Sequence, residues 1–310
     1  MILSNAIKQY VTMKRAAGLK YAHEECMLKN FVTFVGDQPL KNMTEDAIIE
    51  YLHRGEANNQ QIERKYFLLR QFFRWCIERN YLNFAPIRYK IKTTPSEFVP
   101  YIYSHDEISK ILLEALNCSC TSSPLLGETI RALLLTIYSC GLRLGEAISL
   151  RICDVDFQKK QLYIIESKFR KSRILPFCDQ LACFLSAFLR KRQYQLPLIS
   201  QKQSPLFCSR TGNKLYGPYV DHIFQRIRKN CNIEIQNRKI QPRIHDLRHS
   251  FAVHRLCDWY KKDLPVKELL PALSTYLGHK DIEDTKTYLT FTPELLQIIS
   301  EKFEKHTFEE

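Results

Sequence analysis

The chain has no apolar run approaching the roughly 20 residues that cross a bilayer. Its opening stretch, MILSNAIKQYVTMKR, turns polar within a few residues and carries no signal-peptide apolar region. These two absences remove membrane-spanning and exported classes from the expectation and leave the cytoplasm. No CxxC occurs among the eleven cysteines; the closest two are Cys118 and Cys120, and the rest scatter from Cys26 to Cys257. An odd count of that kind, with no export signal, reads as reduced thiols used as small apolar residues, so no disulfide framework, metal or cofactor is expected. His245 and His249 have the i, i+4 spacing of a metal pair, but the intervening DLR lacks the glutamate of HExxH. The remaining shortage is of acid: 33 Asp and Glu stand against 46 Lys and Arg, a formal charge of +13. That excess demands an anionic partner, and without a membrane segment the simplest is nucleic acid.

At 310 residues, 45% hydrophobic and 25% charged, the chain has ordinary globular composition and room for two cores. Residues 1–84 read as helices: Asn5 to Arg15 with Ile7 and Val11 on one face, His23 to Val35, then a helix capped by Thr44 with Glu45 and Asp46 in its first turn. A longer helix from about Gln60 to Tyr81 repeats Phe67, Leu68, Phe72, Trp75 and Cys76 at three- and four-residue steps. Its interleaved Arg64, Arg70 and Arg74 form either a solvated basic face or a grip on phosphates. Pro86, Pro95 and Pro100 then break the pattern, and residues 85–100 read as a linker whose Lys90 and Lys92 can lie along an anionic partner. Residues 1–100 carry a net +5 and residues 101–310 a net +8, so both parts, rather than one basic tail, face the anion.

Residues 101–310 open with a capping box, Ser104 to Glu107, ahead of a helix from Ile108 to Leu116. A strongly apolar helix from Thr129 to Ser139 ends at Cys140-Gly141 and runs at once through Arg143, Gly145 and Glu146 into a further helical run to Leu150. An arginine between two glycines beside a buried helix is either a structural partner of Glu146 or a charge aimed into a site. Gln161 to Glu166 and Arg173 to Pro176 alternate as the strands of a hairpin. With Lys168, Arg170, Lys171 and Arg173 on it, this is either a solvated charged hairpin or one whose tip lysine reaches a phosphate. Tyr219 to Asn230 is a basic amphipathic helix with Arg226 and Arg228 as candidate DNA contacts. The last third gathers His245, Arg248, His279 and Tyr288. An arginine and two imidazoles neutralise and protonate phosphate oxygens, and a phenol behind the polar segment Asp284-Thr-Lys-Thr is suited to attack phosphorus from a mobile stretch. His249 and His254 read as surface or packing histidines, and Tyr276 as helix packing.

In order and spacing, Gly141-Leu-Arg-Leu-Gly-Glu146, the hairpin SKFRKSRILPF, HDLRHSFA, LGH and Tyr288 resemble the tyrosine recombinase, or phage integrase, family. The resemblance runs from about residue 101 to the C-terminus, and the helical residues 1–84 are similar to the family's core-binding domain. It implies a mainly α fold with a small antiparallel β-sheet: a helical SAM-like core-binding domain plus a mixed α/β catalytic domain. It also implies a site-specific recombinase that cuts and rejoins DNA through a covalent 3′-phosphotyrosine and a Holliday junction, in integration, excision or resolution. On this resemblance Arg143 and Arg248 bind the non-bridging oxygens of the scissile phosphate and Lys168 protonates the departing 5′ oxygen. His245 and His279 hydrogen-bond the phosphate and help handle the nucleophile's proton, Glu146 supports Arg143 and His245, and Tyr288 attacks. The implied partners are double-stranded DNA with inverted-repeat sites, further copies of the chain in a homotetramer, and accessory recombination proteins.

Thr292-Pro293-Glu294 starts a last helix, 293–310, with a net charge of −3 and Leu295, Leu296, Ile299 and Phe303 on its apolar side. Such a helix avoids DNA, and the family pattern has it dock on a neighbouring protomer, which predicts a cyclic tetramer. The interval from Cys257 to Ser274 is longer than in compact members, and an arm-binding domain of the lambda type is not evident. A two-domain enzyme of a mobile element, or a chromosome dimer resolver, fits both. Two alternatives stay open. A type IB topoisomerase shares most of the chemistry but relaxes supercoils without strand exchange. A DNA-binding regulator that lost catalysis has no use for the full Arg, Lys, His, Arg, His and Tyr set.

Overall fold

The computed structural model describes residues 1–55, 59–87, 100–119, 121, 123–165, 172–235, 241–279, 281, 283–286 and 288. The chain separates into two compact units, Met1–Glu97 and Phe98–Glu310, each with its own hydrophobic core. Lys90 and Lys92 of the expected linker, Lys168, Arg170 and Lys171 of the hairpin tip, and the expected helix 293–310 lie outside the described residues.

The first unit is built from α1 (Leu3–Ala16), α2 (Ala22–Val35), α3 (Glu45–His53) and α4 (Asn59–Glu78). Apolar residues at helical spacing give each helix one face to bury. Tyr10 of α1 packs edge-on to Phe72 and against Trp75 of α4, while Phe31 of α2 meets Tyr51 of α3. Complete burial of such side chains is worth about 1.5–3 kcal/mol each. The Thr44 hydroxyl caps α3 by accepting from the Ala47 N–H at 3.4 Å. Phe67 departs from the expected stripe and is 41% exposed, because the buried row runs through Leu68, Phe72, Trp75 and Cys76 and leaves its neighbour one step off the face. Arg70 is solvent-facing on α4, as are Arg64, 3.7 Å from Glu24, and Arg74, paired with Glu78 at 3.1 Å.

The second unit contains α5 (His105–Glu114), α6 (Leu126–Cys140), α7 (Leu144–Ala147), β1 (Val155–Asp156), β2 (Gln161–Ile164), β3 (Arg173–Pro176), α8 (Asp179–Gln195), α9 (Gly217–Asn230), α10 (Ile244–Lys261), α11 (Val266–Leu277) and α12 (Glu283–Lys286). The strands make one antiparallel sheet in the order β1-β2-β3, and its register sets Leu162 opposite Leu175, both fully buried. The chain thus has the mainly helical class with a small antiparallel sheet that its sequence predicts. Ser104 and Glu107 close the capping box of α5 in both directions, at 2.8 and 3.1 Å. The helical run expected to reach Leu150 stops at Ala147. The Leu150 carbonyl instead accepts from the Leu206 N–H at 2.7 Å and Arg151 bridges to Pro205, so the chain leaves the helix to start the sheet region. Among the described residues no helix is long and apolar enough to cross a membrane.

The element that positions the site is α10. It packs on both α6 and α11 and is buried around most of its circumference, through Ile244, Leu247, Arg248, Ser250, Phe251, Ala252 and Leu256. Its start is pinned from two sides. The Asp246 carboxylate accepts from the Arg243 backbone N–H at 2.8 Å, and the fully buried Tyr103 donates its N–H to Ser250 Oγ at 2.8 Å and its hydroxyl to the Arg243 carbonyl at 3.2 Å.

Candidate active site

The turn after α6 delivers the first arginine. Gly141 adopts φ 58, and a Cβ there would lie 2.7 Å from both the Leu277 and Phe251 side chains, so only glycine lets the helix stop against α10 and α11. Two residues on, Arg143 donates from Nη1 to Glu146 Oε1 at 2.9 Å and from Nη2 to the Gly278 carbonyl at 3.0 Å. Its backbone N–H donates to Glu146 Oε2 at 3.0 Å. Glu146 takes a second guanidinium at the same time: Arg173 Nη1 and Nη2 donate to its two oxygens at 3.0 and 2.9 Å, while Arg173 Nε donates to the Tyr276 carbonyl at 3.0 Å. Burial would raise the Glu146 pKa, but the bonds and charges of Arg173 and Arg143 outweigh it and hold the carboxyl down at about 2.

Helical spacing sets His245, Arg248 and His249 on one face of α10. Arg248 is only 1% exposed and is held by two carbonyls, Gly141 O at 2.6 Å and Leu277 O at 2.7 Å. Among the described residues no carboxylate forms an ion pair with it. Burial, followed by the charge of Arg143, lowers its pKa to about 10, so it stays cationic at neutral pH. Carbonyl oxygens hold a guanidinium in orientation without cancelling its charge. Arg143, Arg173 and Arg248 therefore bring three positive charges against the single charge of Glu146, and the surplus makes this cluster attractive to an anion.

Three imidazoles surround that charge. Desolvation and nearby cations push His245 down to about 4, His249 to about 3 and His279 to about 4. His245 stands at the solvent-facing rim, where the charges of Arg248, Arg243 and Arg143 add to its partial desolvation. His279 follows the glycine turn at the end of α11, and its Nδ1 lies 2.6 Å from the hydroxyl of the fully buried Thr285 on α12. Three residues later Tyr288, 3% exposed, packs in a core with Phe251 and Leu277, and its hydroxyl lies 2.9 Å from His249 Nδ1. The rings of His245 and His249 stand edge-to-face at 4.7 Å, and those of His249 and His279 lie 5.5 and 6.0 Å from the Tyr288 ring.

The arrangement brings together five of the residues singled out in the sequence, Arg143, His245, Arg248, His279 and Tyr288, from four separate segments. Of the two readings open for Arg143, the pairing with Glu146 is present, and its other end reaches the Gly278 carbonyl beside His279. Other expectations need correction. Glu146 braces Arg143 and Arg173, and its oxygens are taken up there, not by His245. Arg173, expected at the DNA surface, is an internal strut between Glu146 and Tyr276 because β3 turns its side chain inward against α11. Arg228 is likewise internal, 3% exposed and bonded to the Ile233 carbonyl and Gln241 Oε1 at 2.8 and 3.1 Å, since it lies on the buried side of α9. Arg226, two residues back, is exposed. Tyr288 is packed, where a polar, mobile setting was expected. His249, read as a surface or packing histidine, packs against Tyr288; its spacing from His245 is visible in the sequence, but this partner, 39 residues away, is not. Thr285 was missed because a threonine in a polar segment carries no signal of its own.

Comparison with known proteins gives this geometry its context. The phage integrase family model matches residues 103–294. The integrase/recombinase y4rB of Sinorhizobium fredii is 31% identical over 304 residues, 97% of this chain and 96% of that protein. Tyrosine recombinase XerC of Alcanivorax borkumensis is 27% identical over 83% of this chain and 78% of its own length. Among solved structures, the chain is similar in fold to lambda integrase in a tetramer bound to a Holliday junction, with a TM-score of 0.63, 20% identity and coverage of 91% of this chain and 78% of that one. A match over most of the chain, together with the convergence of arginines, histidines and a tyrosine, leads to one conclusion: the chain belongs to the phage integrase family of tyrosine recombinases and is a site-specific DNA recombinase, an enzyme that breaks and rejoins DNA.

Proposed function

We propose that the cleft around Arg248 is the strand-cleavage site and that Tyr288 is its nucleophile. The observation that carries this reading is a buried guanidinium, Arg248, fixed by two carbonyls and matched by no carboxylate among the described residues. A buried charge without a counter-ion costs several kcal/mol, and a phosphodiester entering the cleft offsets that cost. Arg143 and Arg248 bind the non-bridging oxygens, with a planar fork that lysine does not reproduce. His245 and His279 hydrogen-bond the same phosphate. Tyr288 attacks phosphorus, a 3′-phosphotyrosine forms, and the 5′ oxygen leaves with a proton from Lys168. An ordinary phenol has a pKa near 10, so attack needs this positive charge concentrated at phosphorus. The ester conserves the bond energy, and attack by a 5′ hydroxyl of another duplex rejoins the strands in a new order.

In the full reaction, four protomers act on paired inverted-repeat sites through a Holliday junction in the cytoplasm, in the service of a mobile element or of dimer resolution. The basic face of α4, with Arg64, Arg70 and Arg74, the linker lysines Lys90 and Lys92, and Arg170, Lys171 and Arg226 hold the DNA backbone. Helix 293–310 docks on the next protomer and closes the ring. Accessory recombination proteins set the direction.

The test is a nicked suicide duplex recovered by binding selection from a randomised pool on the full-length protein. Cleavage next to the nick releases a short fragment and strands the enzyme on DNA. Wild type should give a covalent complex, and Tyr288→Phe should give none. A Tyr288→Phe protein that still cross-links would sink the nucleophile assignment.

A further inference from the structure

One group at the site has no part in the scheme above. His249 presents Nδ1 to the Tyr288 hydroxyl at 2.9 Å, and the two rings are 5.5 Å apart. We infer that His249 is a catalytic residue, the general base that holds the Tyr288 phenol and takes its proton as the phenol oxygen attacks phosphorus. This rests on Tyr288 being the nucleophile.

The geometry supports the assignment in three ways. A general base has to stand within about 2.6–3.2 Å of the oxygen it deprotonates, and His249 Nδ1 meets that condition. His279 lies less close, with its Nδ1 against Thr285 and its ring 6.0 Å from the Tyr288 ring, against 5.5 Å for His249. The location is also well held: His249 sits one helical turn after His245 and directly after Arg248 on α10, which packs on both α6 and α11. Base and phosphate-binding arginine therefore move as one body, while the phenol arrives on a separate segment.

Charge supports the same role. Facing His249 are His245 and Arg248 from α10, Arg243 from the residue just before it, His279 from the turn after α11, and the phenol of Tyr288. Burial and the nearby Arg248 and Arg243 keep the free imidazole neutral across the physiological range, with a pKa near 3, so Nδ1 is available as an acceptor. A bound phosphate adds negative charge beside the same cations and raises the basicity of His249 at the moment a proton has to be taken. The step balances. The phenol O–H proton goes to Nδ1, the phenol oxygen forms the bond to phosphorus, the bond to the 5′ oxygen breaks, and that oxygen collects its proton from Lys168. In the reverse direction imidazolium returns its proton to the departing phenol.

The experiment is single-turnover formation of the covalent complex on the selected suicide duplex, followed against pH, with DNA retention and thermal melting measured alongside. For His249→Asn, which retains a hydrogen-bonding atom near Nδ1, the rate should fall about 100-fold, within the usual span of general-base effects, with DNA retention unchanged. Its rate should then climb about tenfold per pH unit, because hydroxide has to remove the phenol proton, whereas wild type stays flat from pH 7 upward. Imidazole in the buffer should restore much of the lost rate to His249→Ala, which no purely structural role predicts. Wild-type rates in His249→Asn, or a lowered rate with the wild-type pH profile and no imidazole rescue, would overturn the base assignment. Tyr288→Phe separates this claim from its premise. If it is silent while His249→Asn is fully active, only the base is wrong; if it still cross-links, the nucleophile is wrong and the base assignment goes with it.

Discussion

Glu146 carries more of the site than its class of residue suggests. One buried carboxylate orients Arg143, takes both ends of Arg173, and through Arg173 ties the hairpin strand β3 to the end of α11. Removing it leaves two guanidiniums facing each other with no counter-charge. Glu146→Ala should therefore destabilise the protein by about 3 kcal/mol, in the range for breaking a buried pair from one side, as read by urea denaturation. A loss under about 0.5 kcal/mol would show that the brace behaves like a surface ion pair. Adding Arg173→Met should recover part of the loss, since one orphaned charge goes with it. This is also where sequence reading reaches its limit. Arg143, Arg248 and Tyr288 stand out because few other roles need those residue types at those intervals. Arg173 and Arg228 look the same as true surface cations, because sequence reports a charge but not the direction of the bond that carries it. The contact of His249 with Tyr288 is hidden for the related reason that a pairing over 39 residues leaves no periodic trace.

At the scale of elements, the apolar faces of α1 and, apart from Phe67, of α4, the closed capping box of α5 and the β2–β3 alternation reappear in the fold, each being a local pattern with a local cause. What the local patterns do not contain is the joining of segments. The short α12 is an example: its four residues have little helix-forming strength of their own, and the described contacts that fix it near the site are Thr285 to His279 and, just beyond it, Tyr288 to His249. The first of these selects which nitrogen of His279 is turned inward and which is left for a phosphate. Thr285→Val keeps the shape and deletes that bond. With a buried hydrogen bond worth about 1 kcal/mol, covalent-complex formation should slow by up to about fivefold, and the melting temperature should fall by no more than about 2–4 °C. Equal rates for Thr285→Val and wild type would mean that His279 is oriented by something else. Deleting residues 293–310 tests another joint. On the docking proposal the truncated enzyme still cleaves a single suicide site but fails to exchange strands between two duplexes, and undiminished exchange would remove the helix from the assembly.

For the whole molecule, the accumulation of depressed histidines couples folding and DNA binding to pH. His245, His254 and His279 are held near 4 and His249 near 3, against about 6.5 in an unfolded chain. As pH falls below 6.5 the unfolded chain binds these protons first, so unfolding takes up protons and stability declines with acidification. The histidine share of the decline should run to about pH 4 and level off towards pH 3, where the folded histidines protonate too, while Glu146, held at about 2, adds a further loss below the ordinary carboxylate value of about 4.3. Two causes keep the three site histidines neutral, burial and the surrounding arginines, and a phosphate in the cleft weakens the second. Binding should therefore raise their pKa values and draw protons from solution in the window between about 4 and 6.5. His254 pairs with Tyr138 at 2.8 Å and lies against His105, apart from the phosphate-facing set, so it contributes to the stability slope but not to this uptake. Calorimetric titration of the Tyr288→Phe protein with its selected duplex at pH 5.5, in two buffers of different ionisation enthalpy, reads the effect directly. The apparent binding enthalpies should differ by an amount corresponding to net proton uptake, and the difference should shrink at pH 8. Identical enthalpies in the two buffers at pH 5.5 would mean that the phosphate does not reach the histidine cluster, and with it would fall the idea that DNA itself switches on the base beside Tyr288.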